Sequence, residues 1–113
     1  MKALVYHGPG NRSLDDKPMP TILDVNDAIV RVTKTTICGT DLHIMKGDVP
    51  EVTEGRILGH EGVGIVESVG SSVSNFHAGD RVLISCITSC GKCDYCKKGM
   101  YRIVSTVVGY LGI

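Results

Sequence analysis

Apolar residues along this chain fall in short alternating or β-branched runs broken by turn residues, a pattern of strands rather than helices. Residues 2–7 read as a first strand, and Gly8-Pro9-Gly10-Asn11 as the turn that ends it. Pro18 and Pro20 exclude a helix between Leu14 and Leu23. Residues 27–36 alternate, with Ala28, Val30 and Val32 toward one face, and their β-branched side chains predict a strand. Residues 40–45 allow a single helical turn, and 46–56 read as a loop. Two further strands are expected at 63–69 and 81–84, separated by the Gly, Ser and Asn residues between Gly70 and Asn75. No stretch has the apolar stripe of a three-turn helix, and there is no internal repeat. The expected fold class is mostly β.

Composition sharpens this expectation. With 113 residues the chain is long enough for one domain and too short for two. Fourteen glycines, one Phe and no Trp suit a small barrel with many tight turns. Twelve basic residues balance twelve acidic ones, so no net field favours nucleic acid or an anionic membrane surface as a partner. No apolar run is long enough to span a bilayer. The N-terminus has no extended apolar region of the kind a signal peptide needs. The five cysteines, at positions 38, 86, 90, 93 and 96, therefore point to metal ligation or catalysis in a reducing, cytoplasmic setting rather than to a disulfide framework.

Two segments carry candidate chemistry. The first is Cys38-Gly39-Thr40-Asp41-Leu42-His43, and the second runs from Gly59-His60-Glu61 through Gly62-Val63-Gly64 to Gly70. Zinc takes thiolate and imidazole ligands in a tetrahedron, and a catalytic site keeps one position open. Taken singly, Cys38 reads as a buried apolar thiol and His43 as a surface histidine. In this order and spacing, however, the two segments resemble the start of the zinc-dependent alcohol dehydrogenases of the medium-chain dehydrogenase/reductase family.

The resemblance runs from Met1 to about Tyr101 and implies a GroES-like β-barrel that is incomplete relative to the family. It implies Cys38 and His60 as catalytic-zinc ligands, with Glu61 beside the metal as a supporting carboxylate or occasional ligand. It implies Thr40 as the residue that bonds the substrate oxygen, and His43 as the next member of a proton relay toward solvent. The family's third protein ligand comes from beyond Ile113, so this zinc set is expected to be incomplete. The cofactor would be NAD or NADP and the substrate a small alcohol, aldehyde or ketone. No G-x-G-x-x-G follows a strand and opens a helix, so the chain alone is expected to be inactive. An open barrel is also expected to expose strand edges and to self-associate. The alternative is a small zinc-binding β-domain without catalysis.

A third segment, Cys90-Gly91-Lys92-Cys93-Asp94-Tyr95-Cys96, has the C-x₂-C-x₂-C spacing of a thiolate metal site on a glycine-containing loop. An iron–sulfur loop would continue to a C-P pair, which Lys97-Lys98-Gly99 does not supply. In the family this lobe is a structural zinc site whose fourth Cys lies eight residues after the third, where this chain has Val104. Cys86 is the candidate substitute.

From Arg102 the resemblance ends, so 102–113 reads as an aberrant tail on a partial catalytic domain of 1–101. One allowed set of codons for these twelve residues, regrouped after restoring one base, reads His-Cys-Glu-Tyr-Gly-Gly-Trp and places a Cys at the position of Val104. A frame-shifted, early-terminated alcohol dehydrogenase is therefore expected.

Overall fold

The computed structural model describes residues 1–87 and 89–100. Among them the order of elements is β1 (Lys2–Tyr6), β2 (Arg12–Asp16), β3 (Ala28–Thr35), α1 (Gly39–Lys46), β4 (Gly62–Val69), β5 (Arg81–Ile84) and α2 (Asp94–Lys97). The expected strands at the N-terminus, at 27–36, at 63–69 and at 81–84 are all present. The reading of 102–113 as an aberrant tail lies outside the described residues.

β1 and β2 form an antiparallel hairpin with Leu4 opposite Leu14. Its turn closes through Asn11 N–H to the Gly8 carbonyl (2.9 Å) and His7 N–H to the Asn11 carbonyl (2.9 Å). β2 has only one apolar residue in Arg-Ser-Leu-Asp-Asp, so no alternation marks it in the sequence. The hairpin turn and the pairing with β1 make it a strand. The other edge of β1 is covered by residues 55–58. Tyr6 N–H bonds the Arg56 carbonyl (2.9 Å), Gly55 N–H the Tyr6 carbonyl (2.8 Å) and Leu58 N–H the Leu4 carbonyl (2.8 Å).

The second sheet has the antiparallel order β3-β4-β5. Its first strand departs from simple alternation. Register shifts fall between Ile29 and Val30 and between Val32 and Lys34. The first adds Glu67 to β4 and the second adds Thr33 to β3 after Val32, so Ala28, Val30 and Val32 keep one parity and differ in how well that face is covered. Ala28 is exposed, Val30 is half-buried and Val32 is 52% exposed. The two sheets are not joined by a hydrogen-bonded strand pair, and the barrel is not closed among the described residues.

The core that matters for the site joins β1 to α1. Tyr6, Ile44 and Val52 pack together with Val49 and Leu58 against them. Ile44 is 1% exposed and anchors α1, which thereby holds its first turn toward the segment before β4. α1 is two turns long rather than the single turn expected. Its extra length comes from capping at both ends. Cys38 is the N-cap in a capping box with Asp41, and Gly47 ends the helix at φ 88°, a left-handed conformation that favours glycine.

Candidate metal centres

The first centre lies where α1 begins. Cys38 has extended backbone, and its sulfur accepts the Thr40 N–H (3.3 Å), while the Asp41 carboxylate accepts the Cys38 N–H (2.9 Å). The histidine arrives from the other side. Gly59, at φ 108°, turns the chain so that His60 points inward just before β4. The Thr35 hydroxyl donates to the Glu61 carbonyl (2.5 Å) and ties this segment to β3.

These local devices bring residues twenty-two positions apart into contact, with Cys38 Sγ 3.0 Å from His60 Nε2. The opposite ring nitrogen, Nδ1, lies 3.5 Å from Asp41 Oδ1. Glu61 Oε1 is 3.9 Å from Nε2, on the same edge of the ring as the thiol. Asp41 and His60 are both buried, and Asp41 Oδ1 is a buried oxygen without a hydrogen-bond partner. Ligand atoms of Cys38, Asp41 and His60 all lie within 4.8 Å of one another.

This donor set fits zinc. A thiolate sulfur and an imidazole nitrogen sharing a tetrahedral zinc are ~3.6 Å apart, so small side-chain rotations admit the ion. An uncompensated buried carboxylate oxygen facing Nδ1 also suits a ligating imidazole, whose second nitrogen then carries the proton. Because the two ring nitrogens face opposite ways, Cys38 and Glu61 share the ligating edge while Asp41 supports the ring from behind.

Thr40 and His43 lie on the exposed side of α1, three residues apart and so on neighbouring positions of one helix face. His43 Nδ1 is 3.0 Å from Asp48 Oδ2, and its side chain is 63% exposed. A donor bond from Nδ1 to Asp48 leaves Nε2 as the acceptor. Sequence reasoning alone misses both Asp41 and Asp48. An acidic residue at the third helical position after an N-cap is the local signal that marks Asp41.

The second centre is the cysteine lobe. The sulfurs of Cys90, Cys93 and Cys96 lie within 4.8 Å of one another. Cys90 Sγ and Cys96 Sγ are 3.8 Å apart, which matches the ~3.8 Å edge of a tetrahedral zinc dithiolate. Backbone N–H groups of Cys93 and Cys96 donate to the sulfurs of Cys90 and Cys93 at 3.4 Å each. Such bonds stabilise thiolates, and this donor set too fits zinc. Cys93 is the N-cap of α2, a helical turn inside a segment expected to be loop, and this turn carries Cys96 inward. Burial pushes the Cys96 thiol up, against the opposing pull of the Gly91 N–H. Cys86 is exposed and does not join the cluster, so it is not the fourth thiolate among the described residues.

A half-open β-fold with a half-buried Cys38 against the buried His60 and a three-cysteine lobe defines a β-domain with two candidate metal centres. The chain belongs to the alcohol dehydrogenase GroES-like domain family, whose model matches residues 24–113. It is 45% identical over 107 residues to a zinc-type alcohol dehydrogenase-like protein of Schizosaccharomyces pombe, covering 94% of this chain and 25% of that protein. The solved apo form of zinc dependent alcohol dehydrogenase 2 from Streptococcus pneumonia is 61% identical. It superposes with a TM-score of 0.88 over 93% of this chain and 30% of that one. A short chain alcohol dehydrogenase from E. coli CFT073, solved with NADH, is 30% identical with a TM-score of 0.77 over 100% of this chain and 32% of that one. The chain thus spans about a quarter to a third of the length of these relatives. No helix among the described residues is long and apolar enough to cross a membrane.

Proposed function

We propose that this chain carries the metal-binding part of an oxidoreductase that interconverts primary or secondary alcohols with aldehydes or ketones using NAD or NADP. The observation that supports it best is the contact of Cys38 Sγ with His60 Nε2, backed by the buried Asp41 on the other edge of the ring. Cys38 and His60 would hold zinc, with Glu61 within reach as a further ligand. When bound, zinc supplies a Lewis acid that polarises an alcohol or carbonyl oxygen. Asp41 fixes the orientation and tautomer of His60. The Thr40 hydroxyl takes the proton of the substrate oxygen, and His43 passes it to solvent through Nε2 while Asp48 holds Nδ1.

Cys90, Cys93 and Cys96 would hold a second, structural zinc. The NADH-bound and zinc-type relatives support the choice of cofactors. Because the sequence lacks a dinucleotide fingerprint, the 113-residue chain by itself is inactive in this proposal. Its partners are small alcohols and carbonyl compounds and, through open strand edges, further copies of itself. Its compartment is the cytoplasm, where thiols stay reduced.

A chimera tests the reading. Residues 1–100 of this chain replace the matching segment of the S. pombe relative, and alcohol-dependent reduction of NAD and NADP is assayed. Retained turnover that Cys38→Ser abolishes supports the proposal. A folded, zinc-loaded chimera without turnover contradicts it.

A further inference from the structure

We propose that Cys90 and Cys96 form a reversible intramolecular disulfide by exchange with small-molecule disulfides, so that the lobe alternates between a metal-holding dithiol and an oxidised state that cannot hold metal. Their sulfurs are already 3.8 Å apart, so bond formation requires an approach of about 1.8 Å. Gly91, at φ 71°, makes the tight turn that lets the two ends of this short segment converge. Cys90 is half-buried and open to a small oxidant, whereas Cys96 is 6% exposed and shielded from direct attack. That asymmetry sets the order of events.

The Cys90 sulfur attacks one sulfur of the oxidant, forming a mixed disulfide and releasing one small thiol. Cys96 Sγ then attacks Cys90 Sγ, breaking the mixed bond and releasing the second small thiol. The two cysteines are oxidised, the oxidant disulfide is reduced, and the two cysteine protons end on the released thiols. Cys93 remains as one thiol, and a single thiolate does not hold zinc in a tetrahedral site. The exposed Cys86 stands outside the cluster, and a mixed disulfide formed there leaves the lobe sulfurs untouched. The metal half of this inference rests on the proposed zinc reading of the lobe; the disulfide half does not.

The test treats the full chain, zinc-loaded and metal-free, with glutathione disulfide. Trypsin cuts after Lys92, so Cys90 and Cys96 separate into different peptides that only a disulfide keeps together. The expected result is a Cys90–Cys96 link, kept in Cys93→Ser and in Cys86→Ser and lost in Cys96→Ser. In the zinc-loaded chain, formation of the link releases about one equivalent of zinc, which dithiothreitol lets the chain take up again. Full alkylation of Cys90 and Cys96 after treatment, a link to Cys86 or Cys93, or a link between chains overturns the disulfide. If the link forms but the reduced lobe never held zinc, the metal half is overturned while the disulfide stands.

Discussion

Asp41 and His60 are buried against each other, Asp41 Oδ1 3.5 Å from His60 Nδ1, with each side chain only 7% exposed. The same carboxylate accepts the Cys38 N–H through its other oxygen, so one side chain positions both proposed ligands. Asp41→Asn keeps an oxygen for the cap but offers the ring a donor where it needs an acceptor. Zinc affinity, measured by competition with a chromogenic chelator, is expected to fall about 10–100-fold. Unchanged affinity contradicts the positioning role.

The β1–β2 turn braces the C-terminus of α1. A Cβ on Gly47 would lie 2.8 Å from Pro9 Cγ, and the residue already has φ 88°. Gly47→Ala is expected to destabilise the fold by about 1–3 kcal/mol, read as a lowered midpoint of urea unfolding. A Pro9→Ala background relieves the contact but not the backbone strain, so it should restore only part of the loss.

Much of the fold is legible in the sequence because its strands are marked by β-branched runs between Gly-rich turns. The strands at 63–69 and 81–84 are cases in point. β2 is not legible, since a strand with a single apolar residue leaves no period, and only pairing with β1 defines it. The burial of β3 is hidden for a different reason. Alternation marks the face, but the barrel that would cover it is not closed among the described residues, so Val32 reads as core yet is half exposed. At the site, the residues with unusual chemistry (Cys38, His60 and the three lobe cysteines) stand out by type and spacing. Asp41 and Asp48 do not, because an acidic residue near a helix is ordinary until its partner across the fold is known.

Acid should weaken the first hairpin. The Ser13 hydroxyl, and after it His7, hold the Asp15 carboxyl below its ordinary value. A carboxyl with a lowered folded pKa contributes stability that is full above the ordinary Asp value and is lost as pH falls through the lowered one. Stability below about pH 5 should therefore fall less steeply in Asp15→Asn than in the parent chain, and Ser13→Ala should behave in the same direction. Equal slopes in thermal scans across this range would contradict it.

Val104 occupies the spacing at which a fourth thiolate is expected after Cys96. Val104→Cys should raise zinc affinity about tenfold or more, because one added thiolate contributes both ligation and ordering of the lobe. Equal affinity with and without this thiol argues against a four-cysteine ancestry of the lobe. Coding DNA for 102–113 gives an independent check, since any codon incompatible with the regrouped string excludes the frame shift.

Cys38 and His60 on one side, and the lobe cysteines on the other, should behave as two independent zinc sites. Zinc bound per chain, titrated into protein purified without chelator and then stripped, tests it most directly when repeated with Cys38→Ser, His60→Ala and Cys90→Ser. Cys38→Ser and His60→Ala are expected to remove the same binding event, Cys90→Ser a different one, and all three to keep the parent's circular dichroism. Zinc binding unaffected by Cys38→Ser and His60→Ala in folded protein would contradict it.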